Sequence, residues 1–225
     1  PPPPSTPGLA HPRPSSLVPR PSTPGLAHPR PSSLHPPLQA WPTLVLDLCC
    51  GGGALGLEVA AAARRSGAST RVVGVELSAA SVGDAQFNAA ANGFAPPAYD
   101  ARCGRAEDAV HEMVAGLPVG SQAVALVDPP RTGLSPTVCK ALRAAAGVVR
   151  VVYVSCNPHG YTLRHDYVVK GGSLAANAKL LCNRRGPRGR APFKLTRAVP
   201  VDLFPHTPHC ELCVLFERPP AVASS

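Results

Sequence analysis

From residue 44 onward the chain alternates short β-branched runs with alanine-rich stretches of helical period, and this alternation decides what architecture it can adopt. Runs at 44–48, 71–76, 99–102, 123–127 and 148–154 read as strands. The stretches between them, 54–65, 79–92, 105–115 and 136–145, read as helices, the second of them ended by Gly93. Successive βα units build a parallel sheet with helices on both faces, because each crossover has to carry the chain back to the edge where it started. Residues 158–170 read as one more helix. Two strands, 194–203 and 211–216, close the chain with no helix between them, which predicts an antiparallel addition at one edge. The expected fold class is α/β, a mostly parallel seven-stranded sheet with an antiparallel C-terminal strand.

The first forty residues are of a different kind. They hold almost half of the 29 prolines, three arginines and no acid, and Pro4 to Leu17 (PSTPGLAHPRPSSL) recurs unchanged from Pro21 to Leu34. That period is too short, and the composition too rich in Pro and Ser, for a packed repeat, so 1–40 reads as a disordered or polyproline-like arm. Residues 41–218 read as the folded domain and 219–225 as a disordered tail. The chain begins with Pro rather than Met, which reads as a fragment. It has neither the apolar core of a secretory signal nor a run of eighteen apolar residues, so no membrane partner is expected. A soluble intracellular protein is the preferred reading, in cytosol or nucleus, with the mitochondrion left open by an arm rich in Arg and Ser. A monomer is preferred.

Eight cysteines fall mostly inside apolar strand or helix patterns, which favours buried free thiols over disulfides. The tempting cluster of His206, His209, Cys210 and Cys213 runs into a strand, where residues three apart face opposite ways; no metal is expected. The net charge of +9 suits a polyanionic partner. Between Asp166 and Asp202 there is no acid but there are eight lysines and arginines, a stretch that serves equally as a solvated loop or as a phosphate contact. Few aromatics are available for stacking bases.

Three strand ends carry chemistry. The first, Asp47-Leu48-Cys49-Cys50-Gly51-Gly52-Gly53-Ala54, opens directly into a helix, and its glycines let backbone amides approach a ligand at the helix's positive end. The second ends in Val73-Gly74-Val75-Glu76, where an acid can accept hydrogen bonds from both hydroxyls of a ribose. The third is Val127-Asp128-Pro129-Pro130-Arg131, in which the rigid diprolyl would hold Asp128 at the crevice where open α/β sheets bind ligands. Further on, an apolar run stops at Ser155-Cys156-Asn157-Pro158. Asn157 could cap a helix there with Pro158 at its first position, bringing a positive helix end to the Cys156 thiol.

Taken together, DLCCGGGALGLEVA, VVGVELSAASVGDAQFNAAANG, CGRAED, VDPPRTGL, YVSCNP and VDLFPHTPHCELCVLFER resemble the RNA uracil-5-methyltransferase family, and within it the eukaryotic tRNA-modifying branch, in order and spacing from about Leu44 to Arg218. The resemblance implies a class I S-adenosylmethionine-dependent methyltransferase with a Rossmann-like sheet, acting on tRNA to form 5-methyluridine in the T loop. It implies that Cys156 adds to C6 of uracil and that Glu211 removes the C5 proton. It places Asp47, Cys49, Gly51, Gly53, Glu76 and Asp128 around the cofactor S-adenosyl-L-methionine. In this family's sheet the last strand runs antiparallel beside the one ending at Cys156, which would bring Glu211 close to it. The family's upstream Phe-x-Gln element has no counterpart in these residues. Two alternatives stand beside this reading: another class I RNA methyltransferase, and a truncated chain that binds RNA or a partner without turnover. The Pro-Cys-Ser of cytosine-C5 enzymes is missing, and Arg131 stands where amino methyltransferases carry an aromatic.

Overall fold

The computed structural model describes residues 44–117, 121–156, 158, 161–164, 167–170, 174–185, 191–207 and 209–219. The duplicated arm, Asn157 and the tail from 220 lie outside them. The strands are β1 (Leu44–Leu48), β2 (Arg71–Glu76), β3 (Tyr99–Cys103), β4 (Ala123–Val127), β5 (Val148–Ser155), β6 (Tyr161–Arg164), β7 (Tyr167–Lys170), β8 (Lys194–Val201) and β9 (Glu211–Glu217). The helices are α1 (Ala54–Arg65), α2 (Ala79–Ala91), α3 (Ala106–Ala115), α4 (Pro136–Ala144) and α5 (Leu174–Leu181).

Seven strands form one sheet in the order β3-β2-β1-β4-β5-β9-β8. Pairing is parallel from β3 through β5 and antiparallel at both sides of β9, so β9 alone runs against the rest. The expected sheet is therefore present, with β9 inserted between β5 and the edge strand β8. Chain order reverses at β1, with β2 to one side and β4 to the other, and such a switch point opens a crevice at the strands' C-terminal ends.

Residues of β1 alternate between two cores. Leu44, Leu46 and Leu48 pack with Val110 of α3, Val138 and Leu142 of α4 and Leu181 of α5, while Val45 packs with Leu57 of α1 and Val82 and Ala85 of α2. This two-sided burial explains why β1 reads as an apolar run interrupted only by Asp47. No helix of the described residues is long and apolar enough to cross a membrane.

Residues 158–170 do not form the expected helix. β6 and β7 pair antiparallel there, Tyr161 opposite Lys170 and Arg164 opposite Tyr167. The runs Tyr-Thr-Leu-Arg and Tyr-Val-Val-Lys are rich in aromatic and β-branched residues, which lose rotamer freedom in a helix and suit a pleated ladder. A helix does follow, but it is α5, inside the basic stretch. Its buried positions are Leu174, Asn177 and Leu181, and a polar residue in the middle of that stripe hides the period from an apolar pattern.

Candidate active site

The crevice is built by the turn that follows β1. The amides of Cys49 and Cys50 both donate to the Val75 carbonyl, at 2.9 and 3.2 Å, and the Gly53 amide donates to Cys50 at 2.8 Å. This folds the chain back at once into α1. Cys49, Gly51 and Gly53 all take positive φ (64°, 51° and 84°), a region that disfavours any side chain with a Cβ. At Gly53 a Cβ would collide with the Tyr99 hydroxyl and lie 3.2 Å from the Ala85 Cβ, so glycine is required for the close approach as well as for φ. Around Gly51 there is open space instead.

Asp47 is 1% exposed, and its Oδ2 accepts the Gly56 amide at 2.9 Å, tying α1 to the end of β1. Its Oδ1 is buried with no hydrogen-bond partner. Burial, opposed by the Gly56 bond and reinforced by Asp128, raises its pKa from 3.8 to about 7. A carboxyl whose folded pKa lies above its unfolded value costs stability once ionised. That cost is absent below about pH 4 and complete above about pH 7. Asp47→Asn keeps an oxygen for Gly56 and removes the charge. We expect it to raise stability at pH 8 by on the order of 2 kcal/mol, the charge penalty less that of one unpaired amide donor. The gain should vanish at pH 4. Thermal unfolding of both proteins at the two pH values tests this, and a difference independent of pH would refute it.

Beyond the turn, the C-terminal ends of β1, β2 and β4 face a cavity of about 530 Å³ whose walls include Cys49, Glu76, Arg105, Glu107, Asp128 and Leu134. Glu76 is braced: Oε2 accepts the Gly51 amide at 3.3 Å and Oε1 the Ser78 amide at 3.0 Å. Each oxygen keeps a lone pair for a ligand hydroxyl. The Cys49 thiol is pushed up to about 11 by burial and then by Glu76, Asp128, Asp47 and Glu107. Burial likewise raises Asp128. Glu76, Asp128 and Glu107 thus line one half-buried crevice with a single cation, Arg105, which pairs with Glu107, a net negative field that favours a cationic ligand.

Cys156 follows the end of β5, and Glu211 begins β9, its neighbour in the sheet. β5 and β9 pair through Val154 opposite Cys213 and Ser155 opposite Leu212. The positions that follow in this antiparallel register are Cys156 and Glu211, and Glu211 on its other side faces Val201 of β8. Both residues are partly buried. Glu211 Oε2 is a buried oxygen with no partner, and burial followed by the Asp128 charge raises the pKa of this carboxyl. The six predicted cofactor residues divide by position. Cys49, Glu76 and Asp128 line the cavity, whereas Asp47, Gly51 and Gly53 shape the turn behind it.

Sequence reading missed Asn177. It is 2% exposed, accepts from the Leu134 amide (2.9 Å) and the Tyr153 hydroxyl (2.8 Å), and donates to the Leu134 carbonyl (2.9 Å). It therefore clamps the end of the Asp128 loop to β5 three residues before Cys156. A lone Asn in an alanine-rich helix shows nothing of this in sequence.

Residues 43–115 match the family model described as a methyltransferase domain. The chain is 41% identical over 189 residues to tRNA (uracil-5-)-methyltransferase homolog A of Mus musculus, covering 80% of this chain and 27% of that protein. Over 174 residues it is 40% identical to homolog B of Danio rerio, covering 77% of this chain and 33% of that protein. The chain thus spans between a quarter and a third of these relatives' length. Among solved structures, magnesium protoporphyrin IX methyltransferase of Synechocystis with bound SAH has a similar fold, with a TM-score of 0.50 at 18% identity over 79% of this chain and 74% of that one.

Proposed function

We propose that the chain belongs to the RNA uracil-5-methyltransferase family and that residues 41–218 form a catalytic domain that methylates C5 of a uridine in tRNA, in the T loop, using S-adenosyl-L-methionine. The observation that supports this reading is the β5/β9 register, whose continuation past Ser155 and Leu212 leads to Cys156 and to Glu211, a carboxyl with an orphaned oxygen that feels the charge of Asp128 in the crevice wall.

The crevice fits the cofactor. Glu76 offers acceptors to ribose hydroxyls, the open space at Gly51 leaves room for the methionine end, and the converging carboxylates favour a sulfonium over a neutral sulfur. When bound, the cofactor supplies the methyl group as an electrophile. The Cys156 sulfur bonds to C6 of uracil, and the C5–C6 π pair shifts to make C5 the nucleophile that takes the methyl. Glu211 then accepts the C5 proton. The C5–H electron pair re-forms the C5–C6 double bond, and the C6–S bond breaks to release the Cys156 thiolate. Asp128 lies between the two halves, lining the cofactor crevice and acting electrostatically on Glu211. Asn177 and Tyr153 hold its loop in place.

The test is covalent trapping. Incubated with S-adenosylmethionine and tRNA carrying 5-fluorouridine, the chain should give an adduct stable to denaturation, because fluorine at C5 cannot leave as a proton. Absence of an adduct while RNA still binds would favour the second reading, binding without turnover.

A further inference from the structure

A second cavity, of about 430 Å³, lies between α3, α4 and α5 and is lined by His111, Thr137, Lys140, Arg143, Asn183 and Arg185 among others. No carboxylate is among its described lining residues. The acids of α3 act elsewhere: Glu107 pairs with Arg105, Asp108 acts on Arg105, and Glu112 faces Arg102 at 3.8 Å.

Arg143 is unusual within this group. Only 3% exposed, it donates to the carbonyls of Asn183 and Ala191, both at 2.8 Å. Neither acceptor is charged, and burial depresses its proton affinity with only the Cys182 thiol opposing that effect. A buried guanidinium with neutral acceptors leaves its charge unbalanced, and an anion in the adjoining cavity would offset it. The exposed Lys140 and Arg185 add charge to the same walls. Cationic side chains that are merely solvated need no buried member, and this group has one.

The position of the cavity matters too. Ser135 and Val138 line the cofactor crevice, while Thr137 and Lys140 line this one. The first turn of α4 therefore separates two cavities, so RNA backbone lying on the basic walls would rest against the same helix that walls the cofactor crevice. We propose that the α3/α4/α5 groove binds the phosphodiester backbone of the RNA substrate, with Lys140 and Arg185 as direct phosphate contacts and Arg143 holding the wall and its charge. This rests on the reading of the chain as an RNA methyltransferase.

The experiment measures affinity of the full chain for a fluorescein-labelled tRNA hairpin between about 50 and 200 mM salt, for wild type and for K140E/R185E. Both side chains are exposed. We expect the double variant to bind at least about 10-fold more weakly, with the slope of log affinity against log salt shallower by about one to two, while calorimetric binding of S-adenosylmethionine is unchanged. K140Q/R185Q should give the same change at smaller size and serves if charge reversal impairs folding. An unchanged slope in a variant that still binds cofactor would overturn the groove, even if wild type forms the fluorouridine adduct. Conversely, a shallower slope without any adduct in wild type would leave the groove standing and defeat the methyltransferase reading. Wild type that fails to bind the hairpin would overturn both.

Discussion

Replacing Cys156 with Ala should remove the fluorouridine adduct entirely and lower methyl transfer to RNA by on the order of 10⁴-fold or more. C5 of uracil is a poor nucleophile until a group adds at C6, and four of the other cysteines are poorly suited to take over. Cys49 and Cys50 are raised to about 11 and 12, chiefly by burial and then by neighbouring carboxylates. Cys139 is fully buried beneath the sheet, and Cys213, three residues into β9, faces Val154. S-adenosylmethionine should still bind the Cys156→Ala protein, since Cys156 does not line the cofactor cavity. An adduct that persists in this variant would sink the assignment.

The second large effect separates the two halves of the reaction. Glu211→Gln should accept a methyl group onto ordinary tRNA but release product slowly, so that adduct accumulates without any fluorine and turnover falls by roughly 10²- to 10⁴-fold. Glutamine keeps the shape and some hydrogen bonding but cannot take the C5 proton. The wild-type pH profile should carry the same signature. Burial, and then Asp128, raise Glu211 above the ordinary carboxylate range, and a base works only when ionised. Elimination should therefore slow as pH falls through that raised value, at a pH where an exposed glutamate would still be charged. Single-turnover quench at several pH values measures this. Free turnover in Glu211→Gln, or an elimination rate that is flat into the acid range, would count against the base role.

How far the site was legible depended on what kind of interaction holds each part. Asp47, Gly51, Gly53, Glu76 and Asp128 occupy strand ends that periodicity and turn chemistry mark directly, because a Gly-rich break after an apolar run is a local event. Residues 158–170 misread for the opposite reason. Pro158 after a polar residue is a helix-start signal, but the β-branched and aromatic residues that follow outweighed it. Asn177 and Arg143 were not visible at all, since their roles consist of bonds to residues 24 to 48 positions distant along the chain, Leu134, Tyr153, Asn183 and Ala191.

By itself the sequence determined the βα alternation, the places where strands end and the residue types waiting there, because propensity and period act within a few neighbours. Tertiary structure alone decided that β9 pairs with β5, so that the ladder leads towards Cys156 and Glu211. Their separation of 55 positions is closed by the insertion of β9 between β5 and β8 and by a ladder whose register continues from Ser155 and Leu212. That order follows from burying both faces of the sheet and satisfying the backbone of β5 on its open side, conditions that belong to the whole sheet. The same packing placed α3, α4 and α5 together and so gathered His111, Lys140, Arg143 and Arg185 around one cavity, although they lie on α3, on α4 and in the segment after α5.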